Sequence, residues 1–237
     1  MKKEIIFCWL ASFTLILAAC NNNPKKEPQS NPQPTSPAED STETETNDSV
    51  FSRELIDTFN TVAFPGVTSK AGNIDWTRFR MTNTWSIDTL NYRPFRPAKD
   101  FYKVYGPYLK YSPDSSMFID IDSYNIDIEK DKNGHSTATD MGPDFEVSLV
   151  NTRSHSKARL LFFGPGSTIA DAYWLNDDEL ILIGVHDQGD STGKTAAAWK
   201  YNLSEKTFYL YELHDKNAVQ QIMGSWRKER LKGLGFH

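Results

Sequence analysis

Glu129, Asp131, Asn133 and Asp140 place oxygen-bearing side chains at positions 1, 3, 5 and 12 of a loop whose sixth residue is Gly134. Hard cations take cages of that kind, and glycine at the sixth position permits the sharp turn, so the stretch is a candidate calcium site. It departs from the usual pattern in having Glu at the first position, the shorter Asp at the last, and no flanking helical periodicity. Lys132-Asn133-Gly134-His135 also reads as a plain hairpin turn. Just upstream, Asp120, Asp122 and Asp127 alternate with Ile119, Ile121, Ile126 and Ile128. Paired carboxylates can act as acid and base in glycoside hydrolysis. The simpler reading is a strand with one wet and one dry face.

Gly189-Asp190-Ser191-Thr192-Gly193-Lys194-Thr195 resembles a phosphate-binding Walker loop, but it has three residues between the glycines and Gln188 where the first glycine belongs. A predicted strand, instead of the required helix, follows it. A hydrophilic hairpin loop is the plainer reading. His135, His155, His186, His214 and His237 show no ligand spacing, and no Gly-x-Ser-x-Gly elbow occurs. These observations assign no catalytic residue, and the chain is expected not to be an enzyme. Tyr92, Phe95, Tyr102, Tyr105, Tyr108, Trp199, Tyr209 and Tyr211 are numerous enough to offer flat faces to sugars, or to fill the space between sheets.

The elements that must carry these residues are mainly β. Residues 172–174, 179–185, 195–202 and 206–213 are four short apolar runs, separated by Asn176-Asp177-Asp178, a polar loop, and Leu203-Ser204-Glu205. The first and third gaps are short enough for antiparallel hairpins. Residues 108–111, 117–123, 145–151 and 159–163 repeat that order. Residues 111–119 align without a gap on 174–182, and residues 147–151 align on 198–202. The expected fold is therefore two four-stranded antiparallel units, over residues 105–163 and 170–213, either propeller-like or as stacked sheets. Tyr111 and Trp174 take equivalent places, and both rings are expected to pack between sheets.

The turn Tyr111-Ser112-Pro113-Asp114-Ser115 is similar to the "SPDG" turn of blades in the periplasmic propeller of the Tol–Pal system, and in propeller domains of prolyl-oligopeptidase-type enzymes. The resemblance covers residues 101–213 at most, and a closed propeller needs four to eight such blades. It implies blade-like β units.

Flanking segments complete the plan. Phe51, Leu55, Ile56, Phe59 and Val62 fit one face of a helix over residues 50–64. Residues 74–88 suit a strand pair joined at Thr82-Asn83, and residues 91–99 an irregular crossing. A helix is expected over residues 218–231, capped by Asp215 or Asn217 and ended by Gly233 and Gly235.

The amino terminus reads as an address. Lys2 and Lys3 precede an apolar stretch over residues 5–19 that is short for a membrane span. Leu17-Ala18-Ala19-Cys20 resembles the lipobox of bacterial lipoproteins. The resemblance implies removal of residues 1–19 and acylation of Cys20 with diacylglycerol and an amide-linked chain, which gives firm membrane anchorage. Asn21 follows in place of an Asp resembling an inner-membrane retention signal, which favours the outer membrane. Residues 20–49, with Pro24, Pro28, Pro32, Pro34 and Pro37 among polar residues, form a disordered tether. One globular domain, residues 50–237, follows.

Cys8 and Cys20 are the two cysteines, so a mature chain starting at Cys20 has no disulfide, and a core must stabilise it. The net charge of −5 argues against nucleic acid as a partner. The expected function is a non-enzymatic cell-envelope lipoprotein whose β domain binds or scaffolds a protein. The alternative is a glycan-binding lipoprotein of a nutrient-uptake system. No cofactor is expected beyond the candidate calcium.

Overall fold

The computed structural model describes residues 74–187, 189, 193–232 and 234–236. The leader, Cys20, the tether and the helix expected over residues 50–64 lie outside the described residues.

Strands form where apolar residues alternate or run together: β1 (Arg80–Ser86), β2 (Arg93–Pro94), β3 (Lys110–Tyr111), β4 (Met117–Asp120), β5 (Ile126–Lys130), β6 (Ser136–Asp140), β7 (Phe145–Asn151), β8 (Ser156–Phe163), β9 (Thr168–Trp174), β10 (Glu179–Asp187), β11 (Lys194–Asn202), β12 (Thr207–Leu213) and β13 (Gly235–Phe236). A short helix α1 (Phe101–Tyr105) precedes β3. At the carboxyl end, α2 (Lys216–Gln220) runs through a π-turn, Gln221–Trp226, into α3 (Arg227–Arg230). Asp215 caps α2 by accepting from the backbone N–H of Asn217 and Ala218, the arrangement expected of a residue ahead of free amides.

The strands form three sheets. The N-sheet has the order β2-β8-β7-β4-β3, the C-sheet β1-β12-β11-β10-β9, and a small sheet β13-β6-β5 stands apart. The two large sheets are antiparallel throughout. Each therefore has five strands, not the expected four. The fifth comes from residues 80–94: β1 adds to the edge of the C-sheet and β2 to that of the N-sheet, and the crossing between them ties the two edges together. Trp85 on β1 stacks on Phe208 at 5.0 Å, which holds β1 in place. Among the described residues the sheets do not close into a propeller. Residues 80–86 are also one strand and not a pair. At Thr82-Asn83 the register against β12 shifts between Met81 and Asn83, so the expected turn is a bulge. The bulge re-aims Thr82 onto the buried carboxylate of Glu212, to which its hydroxyl donates at 2.6 Å.

The sheets pack face to face. Ile119, Val147 and Leu149 from the N-sheet meet Leu180, Leu182, Trp199 and Phe208 from the C-sheet. Burying a side chain of that size is worth about 1.5–3 kcal/mol. The far side of the C-sheet is covered by Ala218 and Ile222 of the C-terminal helix and by Trp76 and Phe79. Part of the far side of the N-sheet is covered by Phe101 and Leu109, which pack on Phe118 and Val150. Leu231 and Leu234 pack against Ile126, Ile128 and Ala138 of the small sheet. Gly235 belongs to β13, parallel to β6, and does not end the helix.

Strand register corrects the alignment of the two halves by one residue. Tyr111 pairs with Phe118, whereas Trp174 pairs with Leu180. Asn151 pairs with Met117, whereas Asn202 pairs with Glu179. The matching residues are thus Tyr111 with Trp174, Phe118 with Leu180 and Val150 with Tyr201, and the first turn is one residue longer. Ser115 in that turn takes φ +56°. A one-residue slip exchanges the faces of a strand. The correction therefore decides how the halves stack: Leu180 and Tyr201 face the N-sheet, while their counterparts Phe118 and Val150 face away from the C-sheet. Equivalent faces point the same way, and the sheets stack front to back.

Candidate functional site

Cross-strand rows define the outer face of the N-sheet. Tyr111, Phe118, Val150 and Lys157 form one row, Asp120, Ser148 and Arg159 the next, and Glu146 with Phe162 a third. Helix α1 covers Phe118 but leaves both margins open. Tyr111 is 42% and Tyr102 49% exposed at one margin, Phe162 44% and Tyr124 43% at the other. Both margins are held by rigid structure. Tyr111 and Tyr102 rest on the buried Phe118 ring at 5.2 and 6.4 Å. Tyr124 meets Phe162 edge to face at 6.1 Å, and the Arg159 guanidinium lies 4.6 Å from the Phe162 centroid.

Charge is fixed beneath these rings. Glu146 is buried, accepts from Ser148 at 2.8 Å and from Arg159 Nε at 2.7 Å, and pairs with Lys157 at 3.4 Å. Burial opposes its ionisation, but those partners outweigh burial and hold its carboxyl below the ordinary value. An aromatic and cationic surface of this kind can bind a protein face or stack on a ring.

A second, buried polar centre joins the end of β4 to α3. Asp122, just after β4, receives two hydrogen bonds from Arg230 of α3, at 2.6 and 2.8 Å. Both side chains are buried, and Arg230 Nε also donates to the Ala170 carbonyl at 2.6 Å. Burial pulls down the guanidinium's hold on its proton. Asp122 more than restores it, so the net shift is upward. Lys110 pairs with Asp171 at 2.8 Å, and Tyr173 donates to the same carboxylate. Asp120 accepts the backbone N–H groups of Asp122 and Ser123 at 3.1 and 2.9 Å. Asp120 and Asp122 are therefore not the wet face of a strand. Only Asp127 is exposed. The alternation with isoleucine reports which side a residue takes, and Arg230, more than one hundred positions away, decides what covers it.

The other candidates are placed as follows. Glu129, Asp131, Asn133 and Asp140 spread along the β5–β6 hairpin. Glu129 pairs with Thr137, and Asp140 pairs with Ile126 at the opposite end. Asp131 spends its carboxylate on the turn, accepting from the N–H groups of Asn133 and His135 at 2.8 Å each. Its contacts to the His135 side chain and backbone hold it below the ordinary value. The four are not brought together, and among the described residues no three His, Cys, Asp or Glu side chains form a metal-holding group.

Lys194 and Thr195 lie in a strand, not in the helix that a phosphate loop requires, and Thr195 is buried. Trp199 and Tyr211 are core, while Tyr92 and Tyr102 are exposed. Tyr111 is exposed as well, in contrast to the expectation that it packs between sheets. Trp174 does pack against the inter-sheet core, and its Nε1 donates to the Lys110 carbonyl at 2.9 Å.

Two features escaped sequence reasoning. Tyr124 and Phe162 carry no local signal, since alternation does not show that one margin stays uncovered. His186 and Glu212 lie 26 positions apart and share no sequence motif. The His186 imidazole meets the buried Glu212 carboxylate at 2.8 Å. Comparison of the chain with protein-family models, curated proteins and solved structures finds no match.

Proposed function

We propose that this chain is a lipid-anchored cell-envelope protein, held at Cys20 by the tether of residues 20–49, whose β domain binds a protein partner through the outer face of the N-sheet. The carrying observation is the equivalence of Tyr111 and Trp174. In the C-sheet, the face bearing Trp174 is the one that docks on the N-sheet. In the N-sheet, the equivalent face bears Tyr111 and, among the described residues, carries no sheet. On a blade-like reading of the two sheets, it is a docking face awaiting a partner. Exposed aromatic rings beside an arginine suit the centre of a protein interface. The acyl anchor and outer-membrane address rest on the Leu17-Ala18-Ala19-Cys20 signal.

Affinity isolation from crosslinked membranes tests the reading. The wild-type chain should retain one discrete partner. Tyr111→Ala combined with Phe162→Ala should lose it at an unchanged melting temperature. A double variant that keeps the partner argues against this face.

The second reading, glycan binding, is favoured by one observation: Tyr102 and Tyr111 lie side by side, both open to solvent, on the Phe118 ring. Retardation of the wild type in gels containing polysaccharide, abolished by Tyr102→Ala, would support it over the first.

A further inference from the structure

A second site lies at the turn end of the two sheets. Residues 87–92 cross there from β1 to β2, and beneath them is a cavity of about 330 Å³ between Leu90, Tyr92, Met117, Tyr201, Leu203 and Lys206. That volume is at the lower end for small-molecule sites, which run from about 300 to 1,000 Å³. Its wall is mostly apolar, though Asp88 and Thr89 also line it, and one group in it is fully buried. Tyr201 has a fully buried side chain on the inner face of the C-sheet, and its hydroxyl has no hydrogen-bond partner. Its ring is fixed against Phe208 at 4.4 Å, so the hydroxyl cannot swing out to water. A buried hydroxyl without a partner is costly, and native structures rarely tolerate one without a reason. Lys206 stands at the mouth with φ +55°, its ammonium 3.3 Å from the Asp88 carbonyl.

We propose that this cavity binds a small apolar molecule bearing a single oxygen head, whose oxygen accepts a hydrogen bond from Tyr201. The body lies against Leu90, Met117 and Leu203. Burial raises the Tyr201 phenol to about 12, so it stays protonated and donates at any physiological pH. A neutral head and an anionic one share this chemistry, and the ammonium of Lys206 at the rim suits either.

Hexanol and hexanoate are the probes, titrated calorimetrically into the full chain as it is purified, with chain-free buffer of the same lipid or detergent content as blank. Saturable binding of either at one site per chain is expected. Tyr201→Phe removes only the hydroxyl and should weaken that binding about tenfold, the loss of one hydrogen bond in a dry site. Without probe, Tyr201→Phe should match or exceed the wild type in melting temperature, because the hydroxyl has no protein partner to lose. Leu203→Trp, which fills the cavity, should abolish binding. If Leu203→Trp does not fold, Tyr201→Phe decides alone. Failure of both probes to bind the wild type, or equal binding by Tyr201→Phe, would overturn the proposal.

Discussion

The backbone N–H of Asp114 donates to the carboxylate of Asp177 at 2.9 Å, and the two aspartates occupy the same place in their respective halves, three residues after Tyr111 and Trp174. The repeat is thus stitched to itself at its turns. The neighbouring bond from Trp174 Nε1 to the Lys110 carbonyl, at 2.9 Å, and the Lys110–Asp171 pair, at 2.8 Å, join the same two edges. Of the two turn acids, it is the Asp177 carboxylate that fastens the halves.

The Asp114 carboxylate makes the turn on its own side of this joint sensitive to acid. Hydrogen bonds from Ser116, first its backbone N–H, and from Ser112 lower its carboxyl from 3.8 to about 2. A depressed folded-state value contributes stability that is complete above the ordinary value and is lost as pH falls through the folded one. The melting-temperature gap between wild type and Asp114→Asn should therefore be constant above pH 5 and narrow between about pH 4 and 2. A gap that stays constant down to pH 2 would contradict this.

The Asp122–Arg230 pair predicts strong asymmetry between single and double substitutions. Removing either partner leaves a buried charge uncompensated, at a cost of about 3–5 kcal/mol. Asp122→Asn and Arg230→Met should each lower stability by that order in urea denaturation. The double substitution should cost much less than the sum, because no lone charge remains. Additive losses would show that the two side chains act independently.

What the sequence revealed was local. Strand runs at 179–185 and 195–202, the Asp215 cap and the Lys132–His135 turn follow from period, turn chemistry and capping, all read within a few residues. Strand count failed because β1 and β2 join edges far from their neighbours in sequence. The alignment of Phe118 with Ile181 failed by one position because nothing in the side chains marks an extra turn residue, whereas hydrogen-bond register does. Of the proposed face, Tyr102 was picked out from composition, but Tyr111, Tyr124 and Phe162 were not expected to be open. Exposure depends on what other segments cover.

Gly184 allows the close passage of β9 and β10. Their register shifts between Ile183 and Gly184, and a Cβ at Gly184 would stand 2.0 Å from the Thr168 carbonyl oxygen. Backbone must move to admit it. Gly184→Ala should lower stability by about 1–3 kcal/mol, the usual cost of overpacking a core. A variant as stable as wild type in thermal melts would show that the bulge yields freely.

Trp174 separates packing from hydrogen bonding. Trp174→Phe keeps most of the ring contact and loses the bond to Lys110, at a cost of about 1 kcal/mol. Trp174→Ala should cost about 3–5 kcal/mol. Equal losses for the two variants, measured in urea, would assign the whole effect to the hydrogen bond.

On the proposed function, the Tyr111–Phe162 face holds a protein in the living envelope. A photoreactive phenylalanine analogue placed at position 111 or 162, and at the exposed Lys216 on the C-terminal helix as control, tests it in intact cells. One discrete protein adduct is expected, the same from positions 111 and 162, and none from position 216. No adduct from either face position, or the same adduct from position 216, would contradict it.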